Sequence, residues 1–132
     1  MECRGTLDTT LAHGWDVVLL DEVSEWFLGL DGTTAELVTA AIDLLEAEGP
    51  TLGRPVVDRV RGSAQHNMKE LRPGSTGRTE VRILFVFDPE RKAVLLVAGD
   101  KAGRWKDWYR INIPVAEARY EQWLAGDREE EI

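Results

Sequence analysis

Soft metal ligands are scarce: 132 residues contain one cysteine, Cys3, and two histidines, His13 and His66. A disulfide framework needs paired cysteines, and a thiolate or imidazole centre needs three or four donors, so neither is on offer. The composition suits a reducing compartment. Long apolar runs are missing as well. Nothing approaches the ~20 residues that cross a bilayer, and the opening MECRGTLDTTLAHG has no apolar centre of the signal-peptide kind. The chain is therefore expected in the cytoplasm and away from membranes. No GxxxxGK(S/T) loop, GxGxxG turn or HExxH pair occurs, which removes the commonest nucleotide and zinc-hydrolase signatures. Positive charge is also short. With 16 Lys and Arg against 24 Asp and Glu, the net charge is −8, and long-range attraction of a polyanion is weak or repulsive.

The charges that are present are sorted along the chain. Residues 1–53 hold one Arg against eleven acids, whereas residues 54–82 hold seven Lys and Arg against three acids and residues 91–110 six against two. Brought together by the fold, the two basic blocks would make a local phosphate-binding patch on an acidic protein; held apart, they are solvated surface charge. With 43% apolar content the chain can fill one core and is too short for two. The expected organisation is a flexible leader at 1–13, one domain at 14–126 and a fraying acidic tail at 127–132.

Trp15-Asp16-Val17-Val18-Leu19-Leu20 is short, bounded by Gly14 and rich in β-branched and aromatic residues, the marks of a strand. Asp21 is placed to cap the next segment, where Val23, Trp26, Phe27 and Leu30 recur at the spacing of one buried helical face. Thr33-Thr34-Ala35-Glu36 fits a capping box, and an apolar stripe from Leu37 to Leu45 runs on to a stop at Gly49-Pro50. Residues 49–63, with Pro50, Gly53, Pro55 and Gly62, predict an irregular link carrying Arg54, Arg59 and Arg61. Strands are expected at 66–72, 79–87 and 93–98, joined by short turn-rich connections into an antiparallel meander. Pro114 suits the first position of a last helix with Val115, Ala116, Tyr120, Trp123 and Leu124 on its apolar side. The order β-α-α-β-β-β-α predicts an α+β domain, a mainly antiparallel sheet with helices packed on one face.

The stretch KELRPGSTGRTEVRI (69–83) sets four of the scarce cations around one hairpin. Period-two alternation sends Val81, Ile83, Phe85 and Phe87 one way and Glu80, Arg82, Leu84 and Val86 the other. Both faces past Arg82 are apolar, so the strand is buried on both sides and Arg82 stands where one face stops being core. On the preceding strand His66, Met68, Glu70 and Arg72 share a side, which lets Arg72 and Arg82 project together. Two neighbouring guanidiniums repel unless an anion lies between them. With Arg78 from the turn they can hold a phosphate through charge-assisted bonds, or they pair with Glu70 and Glu80 as an ordinary ladder. Downstream, GDKAGRWKDWYR (99–110) alternates aromatics with cations. That composition suits stacking on bases while cations meet phosphate, unless Trp108 or Tyr109 packs under the last helix. His66 is a candidate general base, although a lone strand histidine is more often structural.

The run ELRPGSTGRTEVRILFVFDPERKAVLLVAGDK, followed by a Lys-containing loop and then IPVAEARYEQWL, resembles the RelE superfamily of bacterial toxin-antitoxin toxins, most of all its HigB-like, phage-related branch. The likeness spans roughly residues 15–125. It implies a RelE-like α+β fold, two N-terminal helices packed on the sheet and a C-terminal helix. It also implies an mRNA interferase that cleaves in the ribosomal A site with neither metal nor cofactor. By position, Arg72 and Arg82 match the strand arginines that clamp the scissile phosphate, Lys101 the basic residue at the last strand's end, and Tyr109 an aromatic near it. Either Glu70 or Lys69 would take the 2′ proton, or the ribosome would align the RNA and leave the protein only charge stabilisation. Lys69, Arg78, Arg104, Lys106 and Tyr109 would touch RNA. The implied partners are mRNA in the A site and a cognate antitoxin, a helix-turn-helix protein of HigA type. Two further activities stay open: inhibition of DNA gyrase in the manner of ParE, and an inert regulatory partner of the antitoxin.

Overall fold

The two apolar runs around ILFVF and AVLLVA become the paired centre of the sheet, because a strand buried on both faces must be apolar at every position. The computed structural model describes residues 14–126; the expected leader, with Cys3 and His13, and the acidic tail lie outside the described residues. In chain order the elements are β1 (Asp16–Leu19), α1 (Asp21–Leu28), α2 (Gly32–Glu48), a 3-10 turn (Gly49–Thr51), β2 (Val57–Arg59), β3 (Lys69–Leu71), β4 (Val81–Phe87), β5 (Lys92–Asp100) and α3 (Trp105–Leu124). They form one five-stranded sheet in the order β1-β5-β4-β3-β2. Only β1 with β5 is parallel; the other three pairings are antiparallel. The fold is α+β, as expected. Among the described residues no helix is long and apolar enough to cross a membrane.

Helices cover both faces rather than one. Val81, Ile83 and Phe85 of β4, with Ala93 and Leu95 of β5, pack against Val23 of α1 and Val38, Ala41 and Leu45 of α2. Leu84, Val86, Val94, Leu96 and Val97 pack against Trp108, Ile113, Ala116, Tyr120 and Trp123 of α3. Each fully buried Leu, Ile or Phe contributes about 1.5–3 kcal/mol, so two such layers account for the choice of a three-layer arrangement over a one-sided sheet. A bulge lies between them. Leu84 pairs with Val97 but Phe85 pairs with Leu95, so Leu96 is extra, and Leu96 and Val97 both face α3. The shifted alternation brings Gly99 to the α3 face, where a Cβ would stand 2.6 Å from Trp108 Nε1.

Four local expectations change. The link 49–63 contains β2, which pairs with β3 through Val57↔Leu71, Asp58↔Glu70 and Arg59↔Lys69. The last helix starts at Trp105, so Pro114 lies inside it. Pro114 is exposed, and having no N–H it offers no amide to the Arg110 carbonyl one turn back. Helix α2 is capped by Asp31, whose Oδ1 accepts from Thr34 N–H at 2.7 Å, not by a box from Thr33. Helix α1 has Leu20 at its cap, and Asp21 is its first residue, acting on the helix dipole with Glu22.

Candidate functional site

Antiparallel pairing of β3 with β4 through Leu71↔Ile83 puts Arg72 and Arg82 opposite each other one step further along. Both sit on the α3 face, with Glu70 and the buried Met68. Glu70 is 2% exposed and forms the hub of the group. Its Oε2 accepts from Arg72 Nε at 2.7 Å and stands 2.7 Å from Arg72 Nη2 and 4.0 Å from Arg82 Nε. Its Oε1 accepts from the Tyr109 hydroxyl at 2.6 Å. Arg72 also reaches Asp58 Oδ2, at 3.2 Å. Arg82 Nη1 donates to the Val81 carbonyl at 2.8 Å, while Arg82 Nε is the one buried side-chain nitrogen or oxygen among the described residues that has no hydrogen-bond partner. Two arginines and two carboxylates leave this centre close to neutral.

The first turn of α3 forms the other wall. Trp108 is buried against Gly99, which fixes the helix over the strand ends and sends Tyr109 down toward Glu70. Burial raises the Tyr109 pKa well above the ordinary tyrosine value, and the hydrogen bond and charge of Glu70 add to it, against a smaller opposing effect of Arg82. Tyr109 is therefore a donor and not a base. Burial is the largest single influence on Arg72 and works against its charge, but the bond and charge of Glu70, with the charge of Asp58, together outweigh it and raise the pKa. The Asp58 carboxyl is held below its usual range, chiefly by the Arg59 amide, with Arg54, Arg72 and Arg61 assisting.

A cleft of about 450 Å³ opens between β2–β3 and this turn, lined by Asp58, Arg59, Arg61, Glu70, Arg72, Trp105, Lys106 and Tyr109. Arg59, Arg61 and Lys106 are exposed at its rim, so the cleft is positive at its edge and neutral at its floor. Trp105 is half exposed. Lys101 pairs with Glu80 at 3.6 Å and lies 5.7 Å from the Tyr109 ring. Among the described residues no three or more His, Cys, Asp and Glu side chains gather as a metal site would require.

The fold thus brings together Glu70, Arg72, Arg82 and Tyr109, with Lys101 and Lys106 beside them. Lys69 is set apart, since alternation along β3 turns it to the face opposite Glu70. Arg78 is exposed in the β3–β4 turn, and Arg104 is exposed at the cap of α3; neither lines the cleft. His66 is exposed and lines a second, neighbouring cleft with Arg54 and Arg61. Asp58 had no signal in sequence, because only the pairing of β2 with β3 carries it to Arg72.

The profile of the family described as phage derived protein Gp49-like matches residues 25–121. The chain belongs to this Gp49-like family, of HigB type. This Gp49-like chain is 60% identical over 111 residues to the putative toxin HigB3 of Mycobacterium tuberculosis, covering 84% of the chain and 95% of that relative. It is 57% identical over 112 residues to the putative toxin HigB2 of the same organism, where it spans 85% of itself and 55% of that longer relative. A solved structure of Escherichia coli toxin RelE, a double arginine-to-alanine mutant in the free state, matches with a TM-score of 0.54 over 74% of this chain and 92% of that one. At 12% identity the last likeness is one of fold, and the fold is RelE-like.

Proposed function

We propose that the protein is the toxin of a type II toxin-antitoxin system and cuts mRNA held in the ribosomal A site. The reaction is transphosphorylation without metal or cofactor. The 2′ oxygen forms a bond to its adjacent phosphorus as the bond from phosphorus to the 5′ oxygen breaks. Glu70 takes the 2′ proton, and the departing 5′ oxygen takes one from solvent, leaving a 2′,3′-cyclic phosphate and a 5′-hydroxyl end. Arg72 and Arg82 face the negative charge that grows on the phosphorane oxygens, Lys101 adds a third positive partner, and Tyr109 orients Glu70. Trp105 and Lys106 offer a ring and a cation to the flanking nucleotide.

The observation that carries this reading is the Glu70 carboxylate at the floor of a cation-rimmed cleft, bound by Arg72 from the cleft lining and approached to 4.0 Å by Arg82, which stands outside that lining. The resemblance in name comes from relatives called putative toxins, at 60% and 57% identity. Dependence on the ribosome follows from charge. A chain of −8 neutralises few phosphates and releases few counterions from RNA, so naked message should bind poorly, while the A site supplies position and much of the binding energy. The toxin works in the cytoplasm and is held in check by an antitoxin of the helix-turn-helix, HigA-like type. Primer extension on a translated message tests the reading, expecting breaks inside the open frame with 5′-hydroxyl ends and a naked message left largely whole. Intact ribosome-bound mRNA together with lost DNA supercoiling by gyrase would replace it with a ParE-like inhibitor.

A further inference from the structure

Glu70 stands where an anionic substrate would have to go. Its two oxygens meet Arg72, Tyr109 and the approach of Arg82, so it presents to the site much of what a phosphate would present. The match is incomplete, however. Arg82 Nε is buried, lies 4.0 Å from the carboxylate and has no partner. A charged donor in that condition is unfavourable until an acceptor arrives, and a tetrahedral anion has more oxygens to offer than a carboxylate. The site therefore has one anion already in it and one donor still waiting.

We propose that Glu70 is an internal stand-in for the substrate phosphate, which holds the two arginines in place in the free protein and must be displaced from Arg72 when a phosphodiester enters. A phosphate arriving alone has to compete with a carboxylate that is already desolvated and held from both oxygens. A phosphodiester fixed by its neighbours on the ribosome arrives at high effective concentration and wins. Once displaced, the carboxylate is freed from its closest cation and stands beside the 2′-hydroxyl that it is to deprotonate. Phosphate entry and base activation become one event. Only this last step rests on the nuclease reading; the competition for Arg72 stands without it.

Glu70→Gln keeps the size of the side chain and an oxygen for Tyr109 while removing the charge. Inorganic phosphate is titrated at constant ionic strength and followed through the Nε–H NMR signals of Arg72 and Arg82. Binding at least tenfold tighter in E70Q than in the wild type is expected, with the Arg82 signal moving. Equal or weaker binding in an E70Q protein that still melts cooperatively overturns the proposal. Where E70Q does not fold, Tyr109→Phe releases Oε1 and should raise phosphate affinity a few-fold; no rise overturns the proposal equally. Primer extension with the wild type keeps the two ideas apart. A wild type that spares the message while E70Q gains phosphate affinity removes the nuclease and upholds the competition. A wild type that cuts while E70Q gains nothing removes the competition alone.

Discussion

Arg82→Ala separates catalysis from stability because the folded protein uses Arg82 so little. Its Nη1 donates to the Val81 carbonyl at 2.8 Å and its Nε comes no nearer than 4.0 Å to Glu70, while Glu70 keeps Arg72 at 2.7 Å and Tyr109 at 2.6 Å without it. Losing one bond from a charged donor costs about 1.5 kcal/mol, out of the 5–15 kcal/mol that hold a domain of this size. That lowers Tm by roughly 6 °C and leaves the protein folded. In the transphosphorylation proposed above the same side chain would face new negative charge, and losing such a partner costs about 2.7–4 kcal/mol, or 10²–10³ in rate. Single-turnover cleavage of a translated message, read by primer extension at matched protein concentration, should fall by that factor. Because the interaction is made only as charge develops, kcat and kcat/KM should fall together. Arg82→Lys restores the charge without the planar fork and should recover part of the loss. Cleavage by R82A at the wild-type rate, with equal abundance, would show that Arg82 has no part in the chemistry.

Gly99→Ala puts a methyl group 2.6 Å from Trp108 Nε1 and 3.3 Å from its Cε2, so the indole must shift. The expected cost is about 1–3 kcal/mol in thermal denaturation, with a change in tryptophan emission; an unchanged melt would refute the close packing of α3 on β5. Tyr109 offers a pH test. Its proton is held more tightly in the folded state, through burial and then Glu70. The stability this gives is whole below the unfolded tyrosine value of about 10 and is lost as pH rises beyond it toward the folded value. The phenolate absorbance of wild type minus Tyr109→Phe should show no step near pH 10 while the protein stays folded. A step there would place the hydroxyl in water, away from Glu70.

Strands β1, β3, β4 and β5 and helices α1 and α2 were legible because their apolar spacing is set by local geometry. The same alternation placed Arg72 and Arg82 on one side before any coordinates. It also sets Lys69 apart, since a residue next to Glu70 on a strand has to face the other way. Strand β2 was hidden, since three residues between Pro55 and Gly62 have little strand character of their own and pair only because β3 presents a free edge. Pro114 misled in the opposite sense. Its fixed φ fits a first turn, but the helix runs through it, and burial of Trp108 in the turns before it outweighs the lost bond. Helices on both faces follow from the doubly apolar β4, but the bulge that turns Leu96 and Val97 to the same side has no sequence mark.

Helix α3 is tied to the sheet near both ends. Tyr109 bonds to Glu70 in its second turn, and Trp123 Nε1 donates to Asp88 Oδ2 at 2.9 Å in its last. Asp88 is itself locked, with its Oδ1 accepting from the Glu90 and Lys92 amides at 2.8 and 2.9 Å in the β4–β5 turn. The two tethers are fourteen residues apart, about 21 Å along the axis. A rod pinned at two such points can neither slide nor roll without breaking both pins at once. The tyrosine over the cleft therefore borrows its stiffness from a hairpin at the far end of the sheet, and the aim of its hydroxyl is set by a turn it never touches.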